Sequence, residues 1–184
     1  GSPFEGICAA REATFSCLAE PALFLGMLVL VKRSGSLSLV KMLGTTSVGW
    51  QGAGASLVLV LVSLFISVLA ENCRVPFDDP NTHLELTMIH EVMVLDHGGP
   101  LLGVVQYGAA IKLFAFASLL VRIAIPIAAP AYLAWPAYAL GLVAVAILVG
   151  AIESLMARLR MPHVPAFLLA GCLFCALALV LLVR

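Results

Sequence analysis

Residues 71–100 read ENCRVPFDDPNTHLELTMIHEVMVLDHGGP. This block holds six of the chain's ten acidic residues and three of its four histidines, His83, His90 and His97. On both sides the sequence is almost continuously apolar. A polar block between two membrane-length runs lies at a membrane face or among other protein groups, because hydrocarbon cannot satisfy its hydrogen bonds. Its flanks decide the fold, and the block itself is the first place to seek function.

Five runs are long enough to cross a bilayer, which takes ~20 residues at about 1.5 Å of rise each. They predict helices at about 13–31, 55–70, 101–125, 131–152 and 164–183, around a polar loop at 71–100. A hydrophobic fraction of 62% with 11% charged residues lies far from a soluble domain. The expected fold is all-α, a polytopic membrane protein with one membrane domain over residues 1–184. A formal charge of zero provides no basic surface for nucleic acid. Five scattered cysteines make no disulfide framework, and the C-x-x-C of Cys172 and Cys175 lies inside an apolar run, where small helix-packing residues are the simpler account. The opening GSPFEGICAAREA lacks a basic segment followed by an apolar core and does not read as a signal peptide.

Within the block, Arg74-Val75-Pro76 ends the second helix and Asp78-Asp79-Pro80 forms a turn. Either Asp79 or Thr82 can cap a short helix running to about Asp96. Leu84, Met88, Val92 and Leu95 give it one apolar stripe. Upstream, residues 34–54 are rich in Gly, Ser and Thr and read as an aqueous or interfacial loop.

Two charges stand inside predicted spans, Glu20 in the first helix and Lys112 in the third. A charge at a helix centre costs ~2.5–3.5 kcal/mol on insertion scales, so it usually has a partner or a task. A proton relay is one account of each, and a structural ion pair or packing contact, within the chain or with a neighbouring chain, is the other. Glu71 and Glu153 fall at helix ends, where either alone reads as a solvated terminal residue. The histidines are spaced by seven, about 10 Å per step along a helix, so no single metal ion reaches all three. No metal is expected in this chain. Nor is there a nucleophile elbow, a Walker loop or a dinucleotide loop.

The block also resembles a known family signature. The run AENCRVPFDDPNTHLELTMIHEVMVLDHGGP is similar to that of the membrane subunit shared by membrane-bound nickel–iron hydrogenases and complex I. Glu71, Arg74, Pro76, Phe77 and Asp78 match its general E-x-x-R-x-P-F-D element. The THLELTMIHEVMVLDH text, GSPFEGICAAREATFSCLAEPAL and YGAAIKLF resemble the hydrogenase branch, the formate hydrogenlyase subunit 4 type, more than the complex I branch, the subunit 1 type. The resemblance implies further helices upstream, making this a C-terminal fragment, and a polar loop facing the cytoplasm in a multi-pass protein of the inner membrane. It implies a peripheral arm of large and small hydrogenase subunits carrying the nickel–iron site and iron–sulfur clusters, beside antiporter-like membrane subunits. Proton transfer is then expected of Glu20, Glu71, Glu85 and Glu91, joined by Lys112 and Glu153. Contact with the arm is expected of Arg74, Asp78, Asp79, His83, His90 and Asp96. Relatives carry an acidic residue before the tyrosine that opens the third helix, whereas this chain has Gln106-Tyr107, leaving that position without an ionisable group.

The expected function is a non-catalytic membrane anchor and proton-coupling subunit of an energy-converting hydrogenase, with no cofactor of its own. One alternative is the quinone-site subunit of NADH:quinone oxidoreductase. Another class is a stand-alone proton or cation transporter, which would show a midplane substrate site and often an internal repeat; the sequence shows neither. A purely structural anchor is the third account.

Overall fold

A computed structural model describes residues 3–77, 94, 97–125, 131–156 and 163–183, the side chains of 3–5, 45–53 and 131 excepted. Five helices follow one another: α1 (Pro3–Ser34), α2 (Leu39–Glu71), α3 (Pro100–Ala124), α4 (Ala131–Leu155) and α5 (Val164–Val183). No strand occurs among the described residues. Each helix contains a run long and apolar enough to cross a membrane, at Gly6–Ser34, Gly54–Glu71, Pro100–Ala124, Tyr132–Leu155 and Val164–Val183.

α1, α2 and α5 pack against one another as a three-helix core, α3 lies on α2, and α4 lies on α3. Lipid is as apolar as leucine, so helices in it associate through close packing and interhelical hydrogen bonds. Both devices are present. Val29, Leu30, Leu57, Val60, Leu64 and Cys175 meet in one buried cluster from all three core helices. A Cβ added at Gly26 would lie 3.2 Å from Leu64 Cδ2 and 3.5 Å from Cys175 Sγ, so glycine sets how near α1 comes to its neighbours. The buried Ser63 hydroxyl of α2 donates to the Gly171 carbonyl of α5 at 2.7 Å. Cys175 is thus a packing residue of this seam.

Two helices begin earlier than the sequence suggests. α1 starts at Pro3, a residue suited to the first helical position, and carries Arg11 and Glu12 inside it where a start near residue 13 was expected. Residues 39–53, expected as loop, form the first half of α2. Their Gly, Ser and Thr are weak helix formers by ~0.5–1 kcal/mol each. However, Met42 is 4% exposed in the core cluster and Leu43 packs against it, and tertiary packing of this kind outweighs propensity. Pro21 and Pro136 lie within α1 and α4 without ending either helix. The expected short helix at about 79–96 lies outside the described residues.

α3 meets α4 most closely at Gly141, where an added Cβ would lie 2.6 Å from Val121 Cγ1 and 2.8 Å from Ile125 Cδ1. Isoleucine's terminal methyl can turn aside, but the β-branched valine is stiff. Gly141→Ala is therefore expected to loosen the α3–α4 contact by about 1–3 kcal/mol. Val121→Ala in the same chain should restore most of the loss, read as heat resistance of the detergent-solubilised protein. Tyr138 adds a hydroxyl bond to Ser118 Oγ at 2.8 Å across the same contact.

Candidate functional site

The site forms where α2 ends. Cys73 takes a left-handed conformation (φ 47°), the Arg74 N–H reaches the Leu69 carbonyl at 3.0 Å, and the Cys73 N–H reaches that of Ala70 at 3.2 Å. This is the Schellman arrangement that satisfies the last carbonyls of a helix, with cysteine where glycine is commoner. The chain then turns sharply. Phe77 is 1% exposed and its ring lies 5.8 Å from that of Phe167 on α5, centroid to centroid, so the Val-Pro-Phe segment is pinned to the core. A rigid turn and a buried anchor fix the direction in which Glu71 and Arg74 project.

Glu71 is the centre of the cluster. Its Oε2 lies 2.9 Å from Lys112 Nζ on α3, and its Oε1 accepts the Ser16 hydroxyl of α1 at 2.6 Å. The Glu71 side chain is 10% exposed, that of Lys112 41%. The expectation that Glu71 is a solvated end residue is overturned, because α1 and α3 close over the end of α2. One level away, Arg74 Nη1 donates to Glu153 Oε1 on α4 at 3.1 Å, fastening α4 to the turn. Both basic groups stand at the C-terminal, electronegative end of α2, where cations are favoured. The two pairs border a cavity of about 940 Å³ between α3, α4 and the end of α2, whose polar rim includes Glu12, Asn72 and Gln106.

Four of the residues singled out by sequence, Glu71, Arg74, Lys112 and Glu153, therefore meet in one place. Glu20 does not join them. It is exposed on α1 and lines no part of the cavity. Asp78, Asp79, His83, Glu85, His90, Glu91 and Asp96 lie outside the described residues. Among those described, no three histidine, cysteine or acidic groups are placed to hold a metal ion. Sequence reasoning passed over Ser16 and Glu12. A serine within a helix carries no charge or length signal. Glu12 falls just before the first helix expected at about 13–31, although its spacing of four from Ser16 places both on one face once the helix is extended.

The Arg74–Glu153 pair is half open, and exposed pairs are worth about 0–1 kcal/mol. Arg74→Ala and Glu153→Ala, singly and together, should show a coupling energy of about 0.5–1 kcal/mol in a double-mutant cycle on thermal inactivation. Additive losses would mean that the pair holds nothing.

The family model described as NADH dehydrogenase matches residues 1–184. The chain belongs to the NADH dehydrogenase family. Within this family, which includes subunit 1 of complex I, it is similar to formate hydrogenlyase subunit 4 of Escherichia coli K12, at 30% identity over 187 residues, 98% of this chain and 60% of that protein. It is also similar to hydrogenase-4 component C of the same organism, at 32% identity over 126 residues, 68% of this chain and 39% of that protein. The chain thus spans about 40–60% of the lengths of these relatives. Family membership and five spanning helices make it a multi-pass membrane protein, of the kind that serves as a membrane subunit of oxidoreductase complexes.

Proposed function

We propose that the chain anchors a peripheral hydrogenase arm in the membrane and couples its electron transfer to proton movement, within a formate hydrogenlyase-like, energy-converting complex. The observation that carries this reading is the Ser16–Glu71–Lys112 cluster, set beside a cavity at the point where the polar block leaves α2. Ionisable groups inside a membrane bundle are expensive and tend to mark ion paths. Glu12 lies one turn before Ser16 and lines the same cavity, so protonatable groups run from Glu12 through Ser16 and Glu71 to Lys112.

In this reading a proton reaching Glu71 Oε2 removes the counter-charge of Lys112, whose ammonium then turns into the cavity; ionisation of Glu71 draws it back. The pair is a two-position element, and a change of charge near the polar block biases it. The nickel–iron site and iron–sulfur clusters belong to the large and small hydrogenase subunits of the arm and supply the electron transfer. Arg74, Asp78, Asp79, His83, His90 and Asp96 would contact that arm, and Glu85 and Glu91 would pass protons between it and Glu71. Glu153, held by Arg74, borders the cavity. Antiporter-like membrane subunits would carry the charge onward, and the polar block would face the cytoplasm from the inner membrane.

The cavity favours a second reading. Apolar walls with a few convergent polar groups and several hundred Å³ suit a small organic ligand. A quinone-site subunit of an NADH:quinone oxidoreductase would use it so. Isolation of the full-length subunit from its native membrane in mild detergent tests both. Nickel, iron and hydrogen uptake co-purifying with it are expected. Flavin with NADH:quinone activity and no nickel would move it to the second reading. A bare membrane protein would sink both and leave a stand-alone transporter.

A further inference from the structure

Five charged side chains border the same cavity: Glu12 of α1, Glu71 and Arg74 at the end of α2, Lys112 of α3 and Glu153 of α4. Four of them are paired, Glu71 with Lys112 at 2.9 Å and Arg74 with Glu153 at 3.1 Å. The fifth is not. Among the described residues the Glu12 carboxylate makes no hydrogen bond or ion pair. Its place follows from Ser16. Residues four apart share a helix face, so Glu12 lies one turn, ~6 Å, along α1 from the hydroxyl that bonds Glu71. A proton on Glu71 leaves two cations at the cavity, Lys112 and Arg74, and two carboxylates, Glu12 and Glu153. Glu153 Oε1 is already taken by the Arg74 guanidinium, and a second cation there would be repelled by it. Glu12 is the carboxylate left for Lys112.

We propose that Glu12 is a positioning residue for proton transfer, the second seat of the Lys112 ammonium. The lysine rests on Glu71 while that carboxylate is ionised and on Glu12 once it is protonated. The inference rests on the reading of Glu71 as a proton carrier and names where its counter-ion goes. Lysine suits such a shift. Its flexible four-carbon stem can stay on apolar wall while the head moves by about a turn, and here the side chain is 41% exposed. With a carboxylate at each end of the movement, neither protonation state of Glu71 leaves the ammonium without a counter-ion. Two discrete positions result, as a two-state element requires.

The test uses the full-length subunit in its native complex and reads thermal inactivation in detergent, a quantity that needs no proton movement. Glu71→Gln stands in for the protonated carboxyl. In the parent, Lys112 sits on Glu71, so Glu12→Gln should lower the inactivation temperature by no more than about 1–2 °C. In the Glu71→Gln background the same change removes the lysine's remaining seat and should lower it by about 3 °C or more. Adding Lys112→Met should cancel that extra loss, because no ammonium is then left to seat. Equal effects of Glu12→Gln in the two backgrounds would overturn the proposal. So would an extra loss that survives Lys112→Met. Proton uptake by sealed vesicles, measured beside it, keeps the two readings apart. Unequal effects with uptake intact in Glu71→Gln would refute the carrier reading alone, and equal effects with uptake lost would refute the second seat alone.

Discussion

Glu71→Gln in the full-length subunit, within its native complex, is expected to leave electron transfer and assembly largely intact and to abolish proton movement. The amide keeps the shape of the carboxylate and one oxygen for the Ser16 hydroxyl, while its NH2, itself a donor, cannot bond the Lys112 ammonium, which at 41% exposure turns to the cavity instead. Assembly should therefore fall by less than about 1–2 kcal/mol, the range of an ordinary hydrogen bond exchanged for a weaker one. What glutamine cannot do is ionise. Groups that hand protons on contribute typically 10²–10⁴-fold, so ion-coupled turnover should drop at least about a hundredfold. The measurement is proton uptake by sealed vesicles, with hydrogen or electron-acceptor turnover followed in the same sample. Equal loss of both would make Glu71 a structural residue. Full retention of both would reduce the chain to an anchor.

The same pair of assays places Ser16. Ser16→Ala removes one donor from Glu71 while leaving Lys112 in place. If the hydroxyl merely stabilises the ionised carboxylate, coupling should fall a few-fold, in line with a net hydrogen-bond contribution of about 0.5–1 kcal/mol. If it is the link between Glu12 and Glu71, the loss should approach that of Glu71→Gln. Vesicle proton uptake separates the two outcomes.

Much of this architecture is legible in the sequence because membrane spans announce themselves by length. α5 coincides with the predicted 164–183, and α3 and α4 agree within a few residues. The first half of α2 is hidden because Gly44, Thr45, Thr46 and Ser47 carry loop-like propensities, while the packing of Met42 that holds the helix is a long-range event. The site is legible in its members and illegible in its pairing. Lys112 stands out as a charge within a span, but nothing local says that it pairs with Glu71, 41 positions away, and not with Glu20. Glu71 reads as solvated because helix ends usually are. Only the packing of α1 and α3 over this particular end removes it from water. The Arg74–Glu153 pair has the same character, since it depends on where α4 comes to rest.

Lys112→Met is expected to be the most destabilising single change in the site, and a second substitution should largely repair it. Methionine fills the volume of the lysine stem but leaves the Glu71 carboxylate, 10% exposed, with the Ser16 hydroxyl and no counter-ion from α3. Breaking a buried pair from one side costs about 3–5 kcal/mol, because the stranded charge has lost its counter-ion. Lys112 is 41% exposed, so the loss here should sit nearer the lower end of that range or below it. Adding Glu71→Gln removes the stranded charge. The double variant should then recover most of the lost stability, a non-additivity of about 1–3 kcal/mol that neighbours in one network show. Coupling should not recover with it, since neither remaining side chain titrates. Thermal inactivation in detergent reads the first quantity and vesicle proton uptake the second. Recovery of stability without recovery of proton movement separates the pair's structural contribution from its role as carrier. If both return together, the charges serve only to hold α2 against α3, and the path for protons must run elsewhere.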